Sequence, residues 1–108
     1  MEKVKLTDLA RIIRSKNSGP FELTLDVFFQ DGRAFARTRG SGFFTPALVA
    51  RLYRITADEV LGIHWFPPAL ALKITIARPL ASGSPGDTDV FGAQQHAPLL
   101  GLVIPLPD

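Results

Sequence analysis

The side chains best suited to chemistry fall in two polar runs. The first, Arg14-Ser15-Lys16-Asn17-Ser18-Gly19, sets two cations, three hydrogen-bonding side chains and a glycine side by side. Arg14, Ser15, Lys16 and Asn17 suit an anion such as a carboxylate or phosphate. The run also reads as the end of a helix, where cations settle against the last carbonyls and the negative end of the dipole. The second run begins at Ser82-Gly83-Ser84-Pro85-Gly86-Asp87-Thr88-Asp89. It is longer than a simple connection demands, and its glycines let backbone approach a ligand closely. Ser84, Gly86, Asp87, Thr88 and Asp89 are its candidate ligand contacts. It continues into Gly92-Ala93-Gln94-Gln95-His96-Ala97-Pro98. Gln94 and Gln95 beside apolar Leu99 and Leu100 are costly to bury unless hydrogen-bonded. His96 is the best acid–base candidate, although a histidine without an identifiable carboxylate or nucleophile beside it is more often structural.

Several chemistries find no support. No Gly-Lys-Ser or Gly-Lys-Thr follows the glycine-rich run, and the ligand spacing and closing glutamate of an EF-hand are absent. Asp87 and Asp89 alone supply too few oxygens for a hard cation, so an Asx turn or helix cap is the expected role and no metal is assigned. With no cysteine, disulfides, thiol nucleophiles and cysteine-ligated zinc are out. No nucleophile elbow, metal-ligand histidine pair or catalytic triad is present. No cofactor is implied.

The elements that must position these residues are read from periodicity. Leu6, Leu9, Ile12 and Ile13 lie at helical spacing and predict an N-terminal helix over Leu6 to Arg14. Phe21 to Phe29 alternates Leu23, Leu25 and Val27 with Glu22, Thr24 and Asp26, predicting a strand with one buried and one polar face. Asp31-Gly32 marks a turn, and Arg33 to Arg39 is weakly helical. Thr45-Pro46 is a strong helix start, followed by an apolar stripe of Leu48, Val49, Leu52 and Tyr53. Thr56 and Glu59 have capping-box spacing. Val60 to Phe66 and Leu70 to Arg78 predict two strands joined by Pro67-Pro68-Ala69, and Val90 to His96 a short helix. Leu99 to Ile104 predicts a last strand.

This order predicts one α+β domain over residues 1–108, a ferredoxin-like βαββαβ fold with a four-stranded antiparallel sheet and an additional N-terminal helix. The first and third strands then lie together at the centre of the sheet. Glu22, Thr24 and Asp26 share its polar face with Lys73 and Thr75, with His64 on the neighbouring strand. That face either pairs charges across strands in water or docks a partner or ligand. Inside its apolar strand, His64 reads as structural.

Residues 1–54 hold ten Lys or Arg against five Asp or Glu, whereas residues 55–108 hold two against five. The cations are spread out, without the dense aromatic interleaving of nucleic-acid surfaces, so no nucleic-acid partner is expected. No apolar run reaches the roughly 18 residues of a membrane span. No secretory signal is visible, and a cytoplasmic location is expected by default.

Three blocks carry a resemblance: Leu6-Thr7-Asp8-Leu9-Ala10, the run from Ile13 through Pro20-Phe21 to Leu23-Thr24-Leu25-Asp26, and above all the continuous block Gly83 to Leu100. Together they resemble a small bacterial domain family of unknown function, encoded beside or fused to proteins similar to AtuA, named for acyclic terpene utilisation. Phe91 stands where that family is expected to carry tyrosine. The element order is also similar to the ferredoxin-like domain that ends AtuA-type proteins. The resemblance implies a companion subunit of an AtuA-like large subunit, completing a site for an unsaturated or branched carboxylic acid or its CoA ester, with hydration or dehydration as the reaction. Alternatives of other classes are a stand-alone oligomeric enzyme, using Arg14 and Lys16 to hold the anion and His96 to move a proton, or a homo-oligomeric module that binds a small acidic metabolite.

Overall fold

The computed structural model describes residues 1–77 and 96–107. The central strand runs over Glu22–Phe29 (β3), and the proline-joined pair over Val60–Phe66 (β4) and Ala71–Ala77 (β5). β5 pairs antiparallel with both β3 and β4, so β3 and β4 are parallel with β5 between them, the arrangement of a split β-α-β unit. Between β3 and β4 the chain winds through Gly32–Gly40 (α2) and Pro46–Tyr53 (α3). Both helices have the starts their residues dictate: Asp31 Oδ1 accepts the Ala34 N–H at 2.8 Å, and Thr45 Oγ1 accepts the Leu48 N–H at 3.1 Å ahead of Pro46. The Thr56 N–H donates to Glu59 Oε1 at 2.9 Å, closing a single 3-10 turn over Ala57–Glu59.

The fourth place in the sheet differs from the expectation. Its order is β2-β3-β5-β4, and β2 is Ala10–Gly19, whose first half, Ala10 to Arg14, was expected to end a helix. Only Leu6–Leu9 (α1) forms a helix, of a single turn. Two β-branched residues at Ile12 and Ile13, followed by Ser15, Asn17 and Ser18, disfavour continuing it. Strand alternation then puts Ile12 and Ile13 on opposite faces, and the register shift between Ala10 and Ile12 sets Ile13, opposite Val27, on the core side while Ile12 faces away opposite Phe28. Residues that mimic a helical stripe in sequence are thereby divided between two surfaces.

The closing segment is displaced correspondingly. Leu99 and Leu100 belong to a one-turn helix, Ala97–Leu100 (α4), and the last strand is Val103–Leu106 (β6). β6 does not join the main sheet. It pairs antiparallel with Glu2–Lys5 (β1), with Val4 opposite Ile104. The edge beside β3 that a ferredoxin-like order gives to the last strand is held by β2 instead. The class is α+β.

One face of the main sheet supplies the core. Leu23, Leu25, Val27 and Phe29 of β3 and Leu72, Ile74 and Ile76 of β5 are buried with Phe35 of α2, Val49 of α3, Leu6 and Leu9 of α1, Leu99 of α4, and Ile104 and Leu106 of β6. Against this core packs half-buried Trp65 of the edge strand β4, which stacks on Phe29 with ring centroids 6.1 Å apart and meets Phe35 edge-on at 5.6 Å. All helices are thus bound to one side of the sheet. Among the described residues no helix is long and apolar enough to cross a membrane.

Candidate functional site: the other face of the sheet

Strand alternation sends every second residue to the face opposite the core, and the register lines these residues up in rows across all four strands. One row reads Arg14, Asp26, Lys73, His64; each is the direct partner of the next. The row on one side is apolar: Ile12, Phe28, Ala71, Phe66. The row on the other is Lys16, Thr24, Thr75, Gly62.

A cavity of about 360 Å³ lies over these rows, within the range of small-molecule sites. Among the described residues, Arg14, Lys16 and Lys73 line it together with His64 and one carboxylate, Asp26. Phe28, Phe66, Ala69 and Ala71 form its apolar part. Phe66 is 56% exposed, a large apolar side chain standing beside charges rather than in the core.

Asp26 is only 4% exposed. Its burial is made tolerable by Arg14, whose Nε donates to Oδ2 at 3.3 Å. The same guanidinium lies over the Phe28 ring, 4.9 Å from its centroid, and Arg11 approaches that ring at 5.7 Å. Asp26 and Phe28 therefore hold Arg14 from below, leaving its side chain 55% exposed toward the cavity. Against Arg14, Lys16 and Lys73, one acid already engaged by arginine leaves the site positive. An anion with an apolar body satisfies both kinds of wall.

The two sets of residues expected from sequence meet here in part. Arg14 and Lys16 are brought beside Asp26 and Lys73, on a strand and not at a helix end. Ser15 and Asn17 do not join them: Ser15 pairs with Leu25 and Asn17 with Leu23, on the core side. A four-residue anion cluster is thus replaced by two cations, because a strand alternates where a helix end would gather consecutive residues. Thr24 stands opposite Thr75 and Asp26 opposite Lys73, as alternation predicts. The face is less wet than expected, however, since Thr24 is buried along with Asp26. Glu22 lies a row beyond the cavity, opposite Ala77.

His64 stands on the polar face with Lys73, where alternation placed it. It is exposed, paired with Lys73 and part of the cavity lining, because Ile63 and Trp65 take the core side of β4. His96 sits in the turn before α4, half-buried, where its carbonyl accepts the Leu99 N–H at 2.9 Å. It is not among the residues lining this cavity. Ser84, Gly86, Asp87, Thr88, Asp89, Gln94 and Gln95 lie outside the described residues. Phe28, Phe66, Ala69 and Ala71 were missed as site residues. Carrying the polar alternation two residues on, from Asp26 to Phe28 and from His64 to Phe66, would have found the two aromatics. Among the described residues no group of three or more His, Asp or Glu is placed to hold a metal ion.

Fold and face together define an α+β protein whose antiparallel sheet packs its helices on one side and carries a cationic, aromatic-walled cavity on the other. Residues 6–103 match the family described as a domain of unknown function, DUF4387, and the chain belongs to it. The match runs from α1 to the first residue of β6 and contains every residue that lines the cavity. No curated protein and no solved structure matches the chain.

Proposed function

We propose that the chain is the small companion subunit of an AtuA-like metabolic enzyme, and that its open sheet face binds an unsaturated or branched carboxylic acid or its CoA ester. The observation that carries this reading is the cavity: three cations beside an apolar row suit a molecule with an anionic head and a short hydrocarbon body. Arg14 and Lys73 flank the centre of the charged row and take the carboxylate or thioester end, with Lys16 beside them. Phe28 and Phe66 take the hydrocarbon. The split β-α-β unit supports treating the sheet as a variant of the ferredoxin-like fold with β2 in the edge position.

A partner is part of the proposal because Arg14 and Phe66 in the cavity lining are each more than half exposed, so water competes with the polar contacts there. A large subunit closing over the face excludes that water and supplies the groups that hydration or dehydration of the acid requires. The test is co-expression with an AtuA-like protein, with a tag on one of the two. Co-elution is expected, and turnover of a branched unsaturated acid or its CoA ester should need both chains. Failure to co-elute, with turnover by the small chain alone, overturns the companion role.

A further inference from the structure

We infer that His64 is the proton-handling group of the cavity, that Gly62 positions its ring, and that an acid ligand is taken up together with a proton. The inference rests on the reading of the cavity as an acid-binding site.

His64 and Gly62 are two residues apart on β4 and so point to the same face. A Cβ built on Gly62 would lie 2.7 Å from His64 Nε2 and 3.3 Å from Cδ2. The imidazole thus lies back along its own strand, over the position where every other residue would place a side chain. Gly62 does not need its glycine for an unusual backbone conformation, since it is absent from the positive-φ residues. What the missing side chain provides is a berth for the ring, and the berth holds Nε2 beside the row that contains Thr75 and Lys16.

The charged groups on the strands around His64 are Lys73 on β5, Asp26 on β3, and Arg14 and Lys16 on β2. Arginine and lysine keep their charge across the neutral range, and Asp26 is engaged by Arg14. Imidazole is the side chain that ordinarily changes charge there. A carboxylate arriving among these groups favours the charged form of the ring, which gains both an opposite charge and a hydrogen-bond acceptor. A proton therefore passes from solvent to His64 as the anion binds and returns when it leaves. A neutral ligand would not draw that proton in.

The experiment is calorimetric titration of the full chain with tiglate, a branched unsaturated monocarboxylate, near neutral pH in two buffers of different ionisation enthalpy. Proton uptake on binding is expected. In His64→Gln the uptake should vanish and affinity should fall about tenfold, the loss of one charge-assisted hydrogen bond. Gly62→Ala should shift the His64 ring resonances in NMR spectra and reduce the uptake while the chain stays folded, because the new methyl meets a movable ring and not backbone. His96→Gln should leave the uptake unchanged. Tiglate binding without proton uptake, or uptake that persists in His64→Gln or disappears in His96→Gln, overturns the inference and leaves the acid-binding reading standing. If neither the chain nor its complex with the large subunit binds tiglate or tiglyl-CoA, the acid-binding reading falls and takes this inference with it.

Discussion

The two faces of the four-stranded sheet are made by the same strands and differ only in which alternate residues they receive. The core face collects Leu25, Val27, Phe29, Leu72, Ile74 and Trp65, which pack against the helices and the small second sheet. The other face collects Arg14, Asp26, Lys73 and His64 in one row, with Phe28 and Phe66 in the next. The core face is organised by shape, and its interactions sum over many weak contacts. The cavity face is organised by charge order, with a cation, an anion, a cation and an imidazole in sequence across the strands. The lesson is that stability and recognition are separated by a single-residue step along each strand, so neighbours in sequence can have unrelated roles.

Phe28 and Phe29 make the largest test of that separation. Phe29→Ala removes a fully buried ring that contacts both Phe35 and Trp65 and should cost about 3–5 kcal/mol in urea unfolding. Phe28→Ala empties a half-buried position under Arg14 and should cost about 1–2 kcal/mol while weakening ligand binding. Equal losses at the two positions would break the comparison.

A smaller stability effect is expected at the charges. The double change Arg14→Ala and Lys73→Ala should lower tiglate affinity by about a hundredfold, roughly tenfold per cation. Because it strips the buried Asp26 carboxylate, 6% exposed, of its arginine partner, it should also cost about 1–3 kcal/mol in unfolding free energy. A large loss of stability with unchanged binding would assign this row to folding.

The smallest effect concerns the seam between α2 and the second sheet. Arg37 Nη2 donates to Glu2 Oε1 at 2.9 Å, and this hydrogen bond, with the positive charge of Arg37, holds the Glu2 carboxyl below its ordinary value of 4.5. A lowered folded value means that the contribution is present above the ordinary value and is lost as pH falls through the lowered one. At low salt, Glu2→Gln should therefore unfold slightly earlier than the parent at neutral pH and match it in strong acid. A difference that persists in acid would show that the pair acts through packing and not charge.

Much of the main sheet was legible because its signals agree. Leu23, Leu25 and Val27 alternate cleanly, and Thr45-Pro46 combines a cap with a proline at the first helical position. β2 was not legible because Leu6, Leu9, Ile12 and Ile13 satisfy a helical period up to the point where the register shift breaks the phase. β1 and β6 are four residues each, too short to show a period, and their pairing is fixed by contacts distant in sequence, with Ile104 and Leu106 buried in the core. For the site, Asp26 and Lys73 could be grouped on one face, but Arg14 and Lys16 could not be joined to them, since that proximity depends on a β2–β3 pairing hidden by the helical reading. His64 was discounted for its apolar neighbours, although in a strand those neighbours face the other way.

The β1–β6 ladder bears on the order in which the molecule can assemble. Glu2 pairs with Leu106 and Lys5 with Val103, partners almost a whole chain length apart in sequence. Closing so long a loop brings no return until the intervening chain is already compact, whereas the β4–β5 hairpin closes across a few residues. By loop length alone, the β4–β5 hairpin of the sheet that carries the cavity is expected to form ahead of the β1–β6 ladder. The cavity can then take shape before the two distant segments meet, and weakening the ladder should speed unfolding more than it slows folding, as stopped-flow rates would show.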